Sequence, residues 1–163
     1  MRTKLRQLGG QQRYQFTGTF KRTGFKNTYH GQSHPIYQPT LLLVDLWCED
    51  QFMTDHLWLN YGKNFLSLGE LQSGDQVTFK ARVARYEKGH FEHRQLDYHL
   101  TRPTQVRYLT VKKPREQLPI NDKNALIGYI MRQNRDFYLA NHRPVDDWYL
   151  SQYRNWQNHV HGN

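Results

Sequence analysis

The chain has 163 residues, a formal charge of +9 and a single cysteine, Cys48. That length suffices for one domain with an appendage, and an aromatic share of 14% supplies burial that the 37% of hydrophobic residues would not give alone. A disordered polyelectrolyte, an intrachain disulfide framework and a cysteine-rich zinc site are thereby excluded.

The charge is unevenly spread. Residues 1–44 hold seven Lys or Arg and no acid (+7), and residues 45–75 one base and six acids (−5). Residues 76–115 hold ten bases and three acids (+7), and residues 116–163 five of each (0). If the fold brings the first strand beside the fourth and fifth, the two basic blocks form one patch suited to a polyanion. The longest aliphatic run, Leu41 to Val44, is too short to cross a bilayer, and the first 15 residues lack the apolar run of a signal peptide. A cytoplasmic location is expected.

Residues 1–12 read as a frayed basic arm. From Arg13, the residues Tyr14, Phe16, Gly18 and Phe20 alternate with Gln15, Thr17, Thr19 and Lys21, the period of a half-buried strand. Gly18 inside it suggests a bend or bulge. Between Arg22 and Pro39 the alternation stops, and a long loop is expected. It carries Arg22, Phe25, Lys26, Tyr29, His30, His34 and Tyr37, rings interleaved with cations as suits single-stranded nucleic acid, or rings folded back to cap the core.

Thr40 to Trp47 is an apolar run of strand length. His56 to Tyr61 is a third strand in which Leu57, Leu59 and Tyr61 oppose His56, Trp58 and Asn60. Trp58 is therefore either a stacking platform or an indole packed beneath a loop. Phe65, Leu66, Leu68 and Leu71 lie on or beside one helical turn and would plug the end of a barrel. After the Gly74-Asp75 corner, Val77, Phe79, Ala81 and Val83 alternate with Thr78, Lys80, Arg82 and Ala84. Lys80, Arg82 and Arg85, with Tyr86 beside them, give this fourth strand a cationic side. Lys88-Gly89 returns it as a hairpin. A fifth strand over residues 98–111 must place Pro103 at a bulge or an edge.

Residues 112–120 form a basic, proline-containing linker. A helix follows from Asp122 to Arg132, with Asn121 as N-cap, and a last helix starts after Pro144 with Asp146 and Asp147 at its positive end. Tyr149, Tyr153 and Trp156 share one face of it with Trp148 at the margin, the pattern of a helix docked on its own domain, on a protein partner or on a second copy. Asp45, Glu49, Asp50 and Asp55 shape a turn, or hold Mg²⁺ for a nuclease. No cofactor is implied by any motif, and the histidine spacings match no metal pattern.

The order TGTFKR, TLLLVDLW, DHLWLNYG, SGDQVTFKARVARYEKG and LTRPTQV resembles oligonucleotide-binding (OB) fold proteins over residues 13–111. The GDxVxFxAxV pattern, here Gly74, Asp75, Val77, Phe79, Ala81 and Val83, looks like the turn into the fourth strand of such barrels. The resemblance implies a five-stranded Greek-key barrel whose ligand lies on the second and third strands, between the loops after the first and fourth. Carried onto this chain, those positions are Phe25, Lys26 and Tyr29, then Trp58, then Tyr86, Lys88 and His90. The second strand departs from this pattern in being almost wholly apolar.

The expectation is a mainly β protein: a basic arm (1–12), an OB-like barrel (13–111), a linker (112–120) and a helical extension (121–163). It would bind single-stranded nucleic acid non-enzymatically, with Arg22, Lys26, Lys80, Arg82 and Arg85 neutralising phosphates and Phe25, Tyr29, Trp58 and Tyr86 stacking on bases. An adaptor or inhibitor acting on a nucleic-acid-binding partner is the alternative, and a metal-dependent nuclease the third.

Overall fold

The computed structural model of the protein describes residues 2–28, 36–88, 95–109 and 114–161. It is mainly β. Five strands, β1 (Arg13–Asn27), β2 (Tyr37–Cys48), β3 (Gln51–Asn60), β4 (Gln76–Lys88) and β5 (Gln95–Tyr108), form one open antiparallel sheet in the order β3-β2-β1-β4-β5. Five helices accompany them among the described residues: α1 (Thr3–Leu8), α2 (Lys63–Leu66), α3 (Lys123–Gln133), α4 (Arg135–Ala140) and α5 (Asp147–His161). The chain divides into two compact units, one of Met1–Arg22, Leu42–Leu59 and Leu71–Arg115, the other of Thr23–Leu41, Asn60–Glu70 and Glu116–Asn163.

The first unit is built on the alternation of β1 and β4. Phe16, Val77, Phe79 and Ala81 are fully buried, and the rings of Phe16 and Phe79 stack with centroids 6.0 Å apart. Gly18 serves close packing: a Cβ there would lie 3.2 Å from Cδ1 of Leu43. In β2 the buried positions change parity, from Leu43 to Leu46 and Cys48, across Asp45, which adopts φ of 51°. Between β4 and β5 the register slips twice, at Thr78/Lys80 and at Lys80/Arg82. Arg102 and Gln105, on either side of Pro103, take φ of 53° and 52°, so the proline sits within a bulged stretch of an edge strand, where it costs no ladder hydrogen bond.

The Gly74-Asp75 corner is fastened on both sides. Phe20 N donates to Asp75 O at 2.7 Å and Gly74 N to Phe20 O at 2.9 Å, with Gly74 at φ of 98°. The Asp75 carboxylate is held by the Arg115 guanidinium in a fork, Nη1 to Oδ2 at 2.9 Å and Nη2 to Oδ1 at 3.0 Å.

The amino terminus differs from the frayed arm expected of it. Residues 3–8 are helical and Leu5 is completely buried. Arg2 Nη1 meets Asp97 Oδ2 of β5 at 3.1 Å, and Lys4 Nζ lies 5.7 Å from the centre of the Phe52 ring of β3. A cleft of about 450 Å³ beside α1 is lined by residues of α1, by Phe52 to His56 and by Asp97. The helix thus reaches both edge strands of the sheet, the places where unpaired backbone most needs cover.

The second unit joins the helices to residues 23–41 and 60–70. Ala125, Leu126, Tyr129 and Ile130 are buried as their spacing predicts, and Gly128 lets α5 approach closely, since a Cβ there would collide with the Tyr149 carbonyl. The N-cap of α3 is Asp122 rather than Asn121: its carboxylate accepts from Ala125 N at 3.0 Å. Tyr129 and Tyr153 meet edge to face at 5.5 Å, and Tyr153 and Trp156 stack at 5.9 Å. Tyr153 is buried, while Trp148 stays 53% exposed. α4, absent from the sequence expectation, buries Tyr138 against Phe25 at 5.5 Å. Phe65 and Leu66 of α2 are buried in this unit too.

Candidate functional site

The sheet sets β1 beside β4 and β4 beside β5, so cations from the two basic blocks of the sequence become neighbours. Arg13 is directly opposite Arg82, Gln15 opposite Lys80, and Thr17 opposite Thr78. On the other side of β4, Lys80 faces Thr104, Arg82 faces Thr101 and Thr78 faces Arg107. Strand alternation places Arg13, Gln15 and Thr17 on one face of β1, and Thr78, Lys80 and Arg82 opposite them on the same face of β4. The buried Phe16, Val77, Phe79 and Ala81 occupy the other.

Two guanidinium groups on this face are anchored to main chain. Arg13 Nη2 donates to Lys80 O at 2.9 Å, to Thr104 Oγ1 at 2.7 Å and to Arg102 O. Arg82 Nη1 donates to Gly10 O at 2.8 Å. Carbonyl and hydroxyl oxygens orient these groups without cancelling their charge. Neighbouring acids are committed elsewhere, Asp97 to Arg2 and Asp75 to Arg115. Among the described residues, none of Arg13, Lys80, Arg82, Arg85, Arg102 and Arg107 forms an ion pair with a carboxylate. Like charges directly opposed across a strand pair are destabilising, a cost that the hydrogen bonds of Arg13 and Arg82 offset in part and that an anion on this face would relieve.

Trp58 lies on the alternation predicted for β3, with Leu57 and Leu59 buried and the indole 38% exposed. The Arg22 guanidinium sits 5.0 Å from its ring centre. Tyr86 is half-buried: its ring stacks on His99 at 4.7 Å and 9°, and its hydroxyl accepts from Arg2 Nη1 at 3.3 Å. One face of that ring is therefore already taken. Trp58 and Lys80 stand on β3 and β4, three strand spacings apart in the sheet order, or about 14 Å.

Other expected site residues are placed differently. Phe25 is only 5% exposed, with Tyr37 at 4.5 Å, Tyr138 at 5.5 Å and the Arg143 guanidinium at 5.2 Å. It is a core ring of the second unit and has no face for a base. Arg22 to Asn27 are strand, so the loop expected from Arg22 onward starts later. Lys26, in the same unit as Phe25, is exposed. Arg85 is exposed but shares the parity of Val83, so alternation turns it to the side opposite Arg82 and Tyr86. Tyr29, His90 and the side chain of Lys88 lie outside the described residues. Sequence reasoning missed Arg13, Gln15 and Arg107; the polar parity of β1 was visible, but its pairing with β4 was not.

The acidic residues of the β2–β3 turn do not gather. Among the described residues, no three of His, Cys, Asp or Glu are arranged to hold a metal ion. Asp55 accepts from His56 Nδ1 at 2.7 Å, and that hydrogen bond holds its carboxyl below the usual range. Burial, reinforced by Glu49, pushes the Cys48 thiol up, away from the thiolate a nucleophile needs. No helix among the described residues is long and apolar enough to cross a membrane. Comparison with family models, with curated proteins and with solved structures finds no match to the chain.

Proposed function

We propose that the protein binds single-stranded nucleic acid without cleaving it, on a partly open, OB-like barrel. The observation that carries this reading is the Arg22–Trp58 pair: an exposed indole between the buried Leu57 and Leu59, with a guanidinium against its ring. Unpaired bases stack on such rings and on guanidinium planes, while adjoining cations hold phosphates. The barrel reading rests on the two sheet edges, β3 and β5, both bordering α1 through Lys4 on Phe52 and Arg2 on Asp97.

The test is a titration of labelled single- and double-stranded oligonucleotides at about 50 and 200 mM salt, where each phosphate contact adds about 0.7 to the logarithmic salt slope for single strands. Preferential single-strand binding that weakens steeply with salt is the expected result. Salt-insensitive affinity, or none, overturns the proposal. A second reading, an adaptor for a protein partner, is favoured by Trp148, which remains 53% exposed on α5; co-purification of a protein with no retardation of oligonucleotides would select it.

A further inference from the structure

We infer that the face carried by Arg13, Lys80, Arg82 and Arg107 on β1, β4 and β5 is a track for the phosphate backbone of nucleic acid alone, indifferent to strandedness, and that preference for single strands resides in Trp58. The inference rests on the nucleic-acid reading above and assigns residues and a division of labour within it.

Three features of the face argue for a polyanion. Its cations have no carboxylate partners among the described residues, although Arg13 directly opposes Arg82. The Arg13 and Arg82 guanidiniums are fixed by main-chain carbonyls of Lys80, Arg102 and Gly10, so little rotamer freedom remains to be lost on binding. Of the remaining residues there, Gln15, Thr17, Thr101 and Thr104 are small or amide side chains of the kind that donate to phosphate oxygens, while Thr78 is buried. Part of that capacity is used internally: Gln15 Nε2 donates to Thr78 Oγ1 at 2.6 Å, Thr78 Oγ1 to Phe16 O at 2.9 Å and Thr101 Oγ1 to Arg82 O at 3.3 Å.

The ring inventory decides what the face reads. Tyr14, Phe16 and Phe79 belong to the opposite parity of β1 and β4, and Tyr86 is stacked on His99. No exposed ring stands among the four cations, so bases find no platform there, and contacts to phosphate carry neither sequence nor strandedness. Trp58, on β3, is the platform.

Two variants test the assignment in the full chain. Lys80→Gln and Arg107→Gln remove charge from side chains that orient no main-chain group, so the fold is retained, as a thermal melt will verify. Together they should reduce the single-strand salt slope by about 1.4, from the loss of two phosphate contacts. In Trp58→Ala, single-stranded and duplex oligonucleotides of equal length should compete within about threefold. An unchanged slope in the double variant, a Trp58→Ala protein still selective for single strands, or displacement of oligonucleotide by anionic vesicles at equal charge would each overturn the inference while leaving nucleic-acid binding intact. Absence of oligonucleotide binding by the unaltered protein would instead remove the reading beneath it.

Discussion

Replacing Trp58 by Ala is the sharpest perturbation of the proposed interface. A base stacked on an aromatic ring contributes about 1 to 3 kcal/mol by alanine substitution. Here the ring is not vacant beforehand. Arg22 lies 5.0 Å from its centre, an exposed cation–π contact worth about 0.5 to 1 kcal/mol, which an incoming base must share or displace. The net loss should therefore fall near about 1 to 2 kcal/mol, or about 5- to 30-fold in Kd. Trp58→Phe keeps a ring and should lose less than about fivefold. The assay is fluorescence anisotropy with an end-labelled oligonucleotide, run well below the melting temperature of each variant because most of the indole is packed. A folded Trp58→Ala protein binding within twofold of the original would show that no base uses this ring.

Four other predictions concern the scaffold. Gly128→Ala drives a methyl group onto the Tyr149 carbonyl and should destabilise by about 2 kcal/mol or more in urea unfolding. Gly62→Ala meets nothing within 4 Å and should be near neutral. Asp75→Asn breaks a fork whose side chains are 9% and 12% exposed, and should cost about 3 kcal/mol, visible as a lower urea midpoint. Burial first, then the hydrogen bond to Glu70 at 2.8 Å, pushes the Tyr129 phenol far above its ordinary range. The folded state therefore keeps a proton that the unfolded chain releases near pH 10, so this contribution is intact below pH 10 and is lost as pH rises beyond it. Alkaline denaturation followed by tyrosine absorbance near 295 nm should show a class of phenols that ionises only as the protein unfolds, and Tyr129→Phe should make that step smaller.

Elements whose signal is local were legible. The corner at Gly74-Asp75, the alternation of β4, the Leu57–Trp58–Leu59 pattern of β3 and the buried stripe of α3 follow from period and turn chemistry within a dozen residues. What escaped depends on distant partners. Met1, Leu5 and Leu8 do fall at helical spacing, but over fewer than a dozen residues that end at Gly9-Gly10 the signal is too short to stand out; the helix is held by Arg2 reaching Asp97, 95 positions away. Phe25 sits among Gly, Lys and Asn as loop rings do, yet its surroundings are Tyr138 and Arg143, and Arg143 Nη2 donates to Phe25 O across 118 positions. The candidate interface divides the same way. Lys80, Arg82 and Trp58 were readable from alternation, but pairing Arg13 with Arg82 requires a register that one strand does not encode.

The composition of the second unit bears on how the gene can be cut. Ending the chain near residue 115 to isolate the β-rich part would strip Phe25, Tyr61, Phe65 and Leu66 of the company of residues 116–163, with which they share that unit. Such a fragment should aggregate during expression rather than serve as a minimal binder. Shortened versions are better made by trimming the last turn of α5, where His159 to His161 are exposed.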